Sequence, residues 1–173
     1  MNLALPHLTF VLGGARSGKS RYAEGLVTDC TPPWVYIATA EAHDGEMSAK
    51  IAAHRNRRDS RWRTVEAPLD LPAAITALGS DGQAVLVDCL TLWLSNVMLA
   101  GRDLIAEQQR LITALSEASG PLVVVSNEVG FGIVPDNALA RQFRDAQGRA
   151  NMQVAAVADR AVLIAAGLPL ILK

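Results

Sequence analysis

The stretch Leu8-Thr9-Phe10-Val11-Leu12-Gly13-Gly14-Ala15-Arg16-Ser17-Gly18-Lys19-Ser20 decides the fold. Its apolar start predicts a buried strand, and Gly13 to Ser20 fit the phosphate-loop pattern G-x-x-x-x-G-K-S/T. Residues 21–27 can continue as a helix. Glycines let main-chain N–H groups point at phosphate oxygens, and the helix N-terminus adds partial positive charge. Lys19 can reach the β- and γ-phosphates and Ser20 can bind Mg²⁺, so the sequence predicts a nucleoside-triphosphate site.

Further apolar runs, rich in β-branched residues, are typical of strands covered by helices on both faces. They occupy 34–38, 84–87, 122–125 and 161–165, and a final strand is predicted over 168–172. Helical spacing of apolar residues lies between them, after Asp70, over 104–118 and over 139–157. The alternation predicts an α/β fold with a mostly parallel sheet. Without repeats or linkers, residues 1–173 are expected to form one domain.

Composition excludes several classes of protein. Hydrophobic residues make up 50% and charged residues 19%, so the chain is neither disordered nor fibrous. A net charge of −1 disfavours binding of nucleic acid through overall charge. Two cysteines make no disulfide framework, and the sequence shows neither a membrane-spanning stretch nor a charged signal-peptide start. Free thiols then favour a reducing cytoplasm.

Asp88 directly follows the run 84–87, where a Walker-B carboxylate is expected. Such a carboxylate holds Mg²⁺ directly or through water. The alternative is that Asp88 caps a helix beginning near Leu90, with Thr91 as another candidate cap. The sequence favours the magnesium role.

A basic segment is the second candidate site. Six of the 16 Lys and Arg residues lie between positions 50 and 63. Helical spacing places Met47, Ile51, His54 and Arg58 on one side of a helix. The residues alone leave three interpretations open: a solvated basic face, a nucleic-acid patch, or a polyphosphate site with His54 as nucleophile. The six residues are Lys50, Arg55, Arg57, Arg58, Arg61 and Arg63.

Six ordered motifs resemble the bifunctional adenosylcobinamide kinase/adenosylcobinamide-phosphate guanylyltransferase family. The resemblance runs from about Leu8 to Lys173. Its motifs are 13–24, 36–40, the segment 46–66 with His54, 88–96, 126–135, and 144–151. The family's usual glutamine is Met152 here, and Asp59 stands where many members have proline. His43 does not occupy the family's histidine position and is interpreted as a loop residue.

The resemblance implies a RecA-like P-loop fold and two activities. The first phosphorylates the aminopropanol hydroxyl of adenosylcobinamide with ATP or GTP. The second moves GMP from GTP to that phosphate through a GMP–histidine intermediate, carried over to His54. It also implies a homotrimer. Mg²⁺ as the cofactor follows from the phosphate loop and Asp88, and the net charge is the reason no nucleic-acid partner is expected. Beside the catalytic residues Lys19 and His54 and the magnesium ligands Ser20 and Asp88, the implied nucleotide contacts are Gly13, Gly14, Ala15, Arg16, Ser17, Gly18, Lys19, Ser20, Thr39, Ala40, Glu41, Arg55, Asn56, Arg57, Arg58, Glu66 and Asp88.

Two other functions remain as alternatives: a monofunctional small-molecule P-loop kinase and a nucleotide-dependent regulator that binds nucleic acid. The sequence identifies neither the phosphate donor of the kinase step, nor its general base, nor the corrinoid contacts. The helix face with Leu92, Trp93 and Val97 is expected to exceed what one small core buries, which is compatible with an oligomer.

Overall fold

The computed structural model describes residues 5–41, 45, 58–78 and 82–173. In these residues seven strands form one sheet. The strands are β1 (Leu8–Gly13), β2 (Trp34–Ala38), β3 (Trp62–Glu66), β4 (Val85–Asp88), β5 (Leu122–Asn127), β6 (Arg160–Ala165) and β7 (Leu168–Ile171). The helices of this part of the chain are α1 (Lys19–Thr28), α2 (Leu71–Leu78), α3 (Leu90–Leu99), α4 (Leu104–Glu117) and α5 (Ala138–Val157).

The sheet has the strand order β3-β2-β4-β5-β1-β6-β7. Every neighbouring pair is parallel except β6 and β7, which are antiparallel. Gly13 at the end of β1 lies opposite Asn127 in β5 and Ile164 in β6. The carboxyl ends of β4, β5 and β1 therefore meet at one edge, where open α/β sheets bind ligands. The predicted α/β class with a mostly parallel sheet is confirmed.

Two apolar clusters cover the faces of the sheet. Residues of α2, α3, α4 and α5 pack on one face, and α1 packs on the other through Ala23 and Val27. The expectation that α3 presents surplus apolar side chains is wrong for two of its residues. Trp93 and Val97 are completely buried, and the Trp93 indole Nε1 donates a hydrogen bond to the Leu69 carbonyl at 3.0 Å.

Strand β3 was not predicted. It pairs with β2 at the edge of the sheet, so most of its side chains face solvent and its sequence lacks a continuous apolar run. Trp62 packs against Trp34, with ring centroids 5.3 Å apart. The turn before it is held by Asp59, whose Oδ1 accepts the Arg61 main-chain N–H at 2.9 Å. Arg58 lies in the irregular segment before β3 and not in the predicted helix, whose other residues lie outside the described part.

No helix in the described residues is long and apolar enough to span a bilayer. Cys30 and Cys89 are free, and Cys89 is buried. Burial, with the nearby Asp88 charge second, raises the pKa of the Cys89 thiol to about 11.

Candidate active site

The phosphate loop connects β1 to α1 with the geometry that its glycines predict. A Cβ on Gly13 would lie 2.7 Å from the Ile164 carbonyl oxygen and 2.5 Å from Ser17 Oγ, so only glycine fits there. Gly18 is the N-cap of α1 and has φ 95°, a conformation that glycine adopts readily. The loop thus turns tightly and presents the N-terminus of α1 to the edge of the sheet.

Lys19 and Ser20 are the first two residues of α1. The Lys19 Nζ donates to the Gly14 carbonyl at 3.1 Å, which folds the ammonium back over the loop. On the other side, the Gly167 N–H donates to the Ser17 carbonyl at 2.9 Å, so the turn between β6 and β7 supports the loop. Gly14, Ala15 and Arg16 are exposed, as residues that contact a ligand must be.

Asp88 ends β4, two strands away from Gly13. Its Oδ2 accepts a hydrogen bond from the Tyr36 hydroxyl at 3.2 Å. Asp88 does not cap α3: the N-cap is Cys89, and no side chain makes a capping hydrogen bond there. Thr91 is not a cap either, because its Oγ1 accepts the Asn127 N–H at 2.8 Å. A carboxylate held at the strand end beside the phosphate loop fits the Walker-B interpretation.

Tyr36 joins Asp88 to Arg58 of the basic segment. The Arg58 guanidinium carbon lies 3.6 Å from the centroid of the Tyr36 ring. Burial, then the Asp88 charge, raises the pKa of the Tyr36 hydroxyl well above its ordinary value, and Arg58 offsets part of this. The hydroxyl therefore stays protonated and can donate to Asp88 at neutral pH. This contact of Tyr36 with Asp88 and Arg58 was not predicted, because positions 36, 58 and 88 are far apart in the sequence.

Arg58 has hydrogen-bonding capacity left for a ligand. Its Nε and Nη1 are buried, and neither has a hydrogen-bond partner in the part of the chain that the structure describes. Buried polar atoms are nearly always paired, so two orphaned guanidinium nitrogens indicate a site for an acceptor such as a phosphate oxygen.

The other predicted nucleotide contacts differ in their availability. The Thr39 hydroxyl is buried, donates to the Cys89 carbonyl at 2.7 Å and accepts the Cys89 N–H at 2.8 Å. It positions the strand ends and is not turned toward a ligand. Ala40 and Glu41 follow it, partly exposed, and Glu66 is exposed at the end of β3. His54, Arg55, Asn56, Arg57 and His43 lie outside the described residues.

A buried polar network behind the edge was not predicted either. The Ser126 Oγ donates to Asn151 Oδ1 at 2.7 Å, and Gln147 Nε2 donates to both. Asn151 Nδ2 also donates to the Asn127 carbonyl at 3.1 Å. With the Thr91 contact, both main-chain groups of Asn127 are held by side chains. The sequence motif singled out Ser126, Asn127 and Asn151, but no periodicity assigns them this task. Met152, next to the network, is 70% exposed, so the departure there does not alter core packing.

The fold and the loop define a P-loop nucleotide-binding protein of the RecA-like type. Among solved structures, the RadB recombinase superposes with a TM-score of 0.56 at 18% identity, over 92% of this chain and 74% of that one. A second solved structure, an isolated ATPase domain, superposes with a TM-score of 0.50 at 12% identity, over 91% of this chain and 69% of that one. At these identities the likeness shows the fold alone.

The sequence comparisons are more specific. The family model described as cobinamide kinase / cobinamide phosphate guanyltransferase matches residues 9–172, and the chain belongs to this family. The bifunctional adenosylcobalamin biosynthesis protein CobP of Pseudomonas aeruginosa is 46% identical over 165 residues, 94% of this chain and 95% of that protein. The bifunctional adenosylcobalamin biosynthesis protein CobU of Salmonella typhimurium is 40% identical over 181 residues, 96% of this chain and 99% of that protein.

Proposed function

We propose that this protein carries two successive activities. It phosphorylates the aminopropanol hydroxyl of adenosylcobinamide with ATP or GTP, and then transfers GMP from GTP to the new phosphate, giving adenosylcobinamide-GDP and pyrophosphate. Family membership over residues 9–172 and the bifunctional names of the relatives support both steps. The single observation that carries the proposal is the phosphate loop, which lies at the same sheet edge as Asp88. The monofunctional kinase and the nucleic-acid regulator are not favoured.

The kinase step needs a held triphosphate and stabilised charge. The hydroxyl oxygen attacks the γ-phosphorus, and the bond to the bridging oxygen breaks. Main-chain N–H groups of Gly13 to Ser20 orient the phosphates, and Lys19 neutralises charge that grows as the bond breaks. Preorganised donors of this kind supply most of the catalysis in phosphoryl transfer.

We infer that guanylyl transfer proceeds through His54. Its imidazole attacks the α-phosphorus, pyrophosphate leaves, and the P–N bond then breaks as the cobinamide phosphate takes GMP. The orphaned nitrogens of Arg58, four residues after His54, support a phosphate-binding role for this part of the basic segment. With Arg58, we assign nucleotide contacts to Arg55, Asn56, Arg57, Ala40, Glu41 and Glu66. The Thr39 hydroxyl, N–H and carbonyl are all engaged, with Cys89, Asp88 and Asn96 in turn, so we assign Thr39 to positioning the strand end instead of to a direct nucleotide contact.

Mg²⁺ fits the residues present if it arrives with the nucleotide. The described residues hold no group of three His, Cys, Asp or Glu side chains that could bind a metal alone. Mg²⁺ usually keeps several waters and is held by one or two side chains and substrate phosphates. The Ser20 hydroxyl and the Asp88 carboxylate would supply the protein ligands, and the ion would neutralise phosphate charge.

We also infer a single domain over 1–173, a homotrimer and a cytoplasmic location. The continuous sheet supports one domain. The trimer rests on the family resemblance, and exposed apolar side chains are consistent with it. Two free cysteines support a reducing compartment.

Covalent labelling tests the proposal. GTP labelled in the α-phosphate should mark the protein with an acid-labile, base-stable adduct, as expected of a phosphoramidate. His54→Asn should abolish the label while phosphorylation of adenosylcobinamide largely survives, because the hydroxyl attacks the γ-phosphate directly. His43→Asn is the matched control and should label normally. Label on the His54→Asn protein would place the nucleophile elsewhere, and loss of both activities would make His54 a structural residue.

A further inference from the structure

The segment that follows β5 begins between the two parts of the phosphate site. Strand β5 lies between β1, which leads into the phosphate loop, and β4, which ends at Asp88. The Glu128 N–H donates to the Gly13 carbonyl at 3.1 Å, so the chain leaves the sheet against the phosphate loop. Neighbouring strands are about 4.8 Å apart, which puts the start of this segment within one strand of each part.

Glu128 is the carboxylate best placed to serve the γ-phosphate. Of the four described acidic residues at this edge, Asp88 is assigned to Mg²⁺, and Glu66 lies four strands from β1, roughly 19 Å away. The Glu128 Oε1 accepts the Gly130 N–H at 2.6 Å, which fixes the carboxylate. Oε2 receives no hydrogen bond or ion pair from the part of the chain that is described. One oxygen orients the group, and the other is available. The fourth acidic residue, Glu41, follows β2, which lies three strands from β1, roughly 14 Å away.

The same segment then presents three large apolar side chains to solvent. Phe131, Ile133 and Val134 are 86%, 97% and 61% exposed. Contiguous apolar residues held in water usually contact a ligand or partner. These residues follow Glu128 within six positions, in a segment that leaves the sheet at the edge where the phosphate loop lies. A substrate that carries a hydroxyl group on a large apolar group could contact these side chains and Glu128 at the same time.

We propose that residues 128–134 form the acceptor side of the kinase site. Phe131, Ile133 and Val134 contact the apolar body of the alcohol substrate, and Glu128 is the general base. The hydroxyl oxygen bonds to the γ-phosphorus, its proton passes to Glu128 Oε2, and the bond between that phosphorus and the bridging oxygen breaks as the nucleoside diphosphate leaves. Glu128 then returns the proton to water. This inference rests on the proposed kinase function and adds its missing base and corrinoid contacts.

The polar network gives this segment a fixed starting point. Thr91 holds the Asn127 N–H and Asn151 holds the Asn127 carbonyl, immediately before Glu128. A general base must lie within hydrogen-bond reach of its proton, so a rigid strand end is the support that Glu128 needs.

Glu128→Gln tests the base directly. The glutamine oxygen can still accept the Gly130 N–H, so the variant keeps the turn and loses only the basicity. We expect the kcat of adenosylcobinamide phosphorylation to fall by about 10²- to 10⁴-fold. Binding of ATP and GMP transfer to presynthesised adenosylcobinamide phosphate should not change, and Glu128→Asp should recover part of the rate. Glu117→Gln, an exposed carboxylate on α4, is the matched control.

The outcomes separate this inference from the proposed function. Near-normal phosphorylation by Glu128→Gln would overturn the assignment of Glu128 as the general base. A parallel loss of ATP binding and GMP transfer would overturn it too, because it would indicate a structural role for Glu128. If the wild-type protein binds ATP and phosphorylates no adenosylcobinamide, the proposed function itself is wrong.

The apolar contacts have their own test. Phe131→Ser and Ile133→Ser should raise KM for adenosylcobinamide roughly tenfold, the effect of losing one buried large apolar contact, with KM for ATP unchanged. Ile105→Ser is the control, since Ile105 is 71% exposed on α4. Unchanged KM for adenosylcobinamide overturns the contact. If Phe131→Ser or Ile133→Ser changed only the oligomeric state, these side chains would contact a second copy of the chain, and their assignment as substrate contacts would be wrong.

Discussion

Lys19 is the residue on which phosphate chemistry most directly depends. Its ammonium rests 3.1 Å from the Gly14 carbonyl and needs only a side-chain rotation to reach phosphate oxygens. Lys19→Ala should lower the rate of adenosylcobinamide phosphorylation by about 10²-fold or more, because growing charge on the phosphates loses its neutralising partner. Guanylyl transfer should fall too if the same loop holds GTP. Arg21→Ala, an exposed cation two residues later, should keep both rates. Near-normal phosphorylation by Lys19→Ala contradicts the assignment of this loop.

Tyr36 offers a way to separate two contacts made by one side chain. Tyr36→Phe removes the hydroxyl that donates to Asp88 and keeps the ring under Arg58. Tyr36→Leu removes both. A cation over an aromatic face contributes about 0.5–2 kcal/mol, so GTP binding should weaken by about 2- to 30-fold more in Tyr36→Leu than in Tyr36→Phe. Equilibrium binding of labelled GTP measures this, with urea unfolding in parallel to detect destabilisation. Equal affinities in the two variants would exclude a role for the stacked guanidinium.

Among the elements, the network between β5 and α5 is the least tolerant of change. Asn151→Ala removes the donor to the part-buried Asn127 carbonyl and the acceptor of the buried Ser126 hydroxyl. The free energy of unfolding should fall by about 1–3 kcal/mol. Met152→Ala, the next residue on the same helix and 70% exposed, should change it by less than about 0.5 kcal/mol. Urea denaturation measures the free energy of unfolding of both variants. If Asn151→Ala and Met152→Ala unfolded at the same urea concentration, the network would not be important for stability.

The elements also show which features the sequence could predict. The central strands are continuous apolar runs, and the phosphate loop is a contiguous motif, so local patterns predicted both. Strand β3 was not predicted, because an edge strand exposes polar side chains and has no continuous apolar run. The clustering of Tyr36, Arg58 and Asp88 depends on strand order, since β2 lies next to β4 only after crossovers. No spacing rule along the chain contains that information. The roles assigned to His54 and its neighbours stay predictions.

At the scale of the whole molecule, the edge strand β7 exposes more apolar side-chain surface than a stable monomer usually leaves in water. Strand β7 pairs only with β6 in the described residues, and every residue of it is exposed. Leu168, Leu170 and Ile171 are 71%, 57% and 52% exposed. An apolar edge strand is a template for association, so proteins usually cover it. In the turn before β7, the Gly167 N–H donates a hydrogen bond to the Ser17 carbonyl, which links this edge of the sheet to the phosphate loop.

Sedimentation can decide whether another copy covers this edge. The wild-type protein should sediment as a trimer at micromolar concentration. Leu170→Lys places a charge on the exposed apolar edge, so the variant should shift toward monomer while its circular dichroism stays native. Ile105→Lys introduces the same charge at a residue that is 71% exposed on α4, and this control should remain trimeric. A monomeric wild-type protein would contradict the trimer. A trimeric Leu170→Lys protein would place the interface away from β7, because an ammonium buried there without a partner would cost more than an interface of this kind can supply.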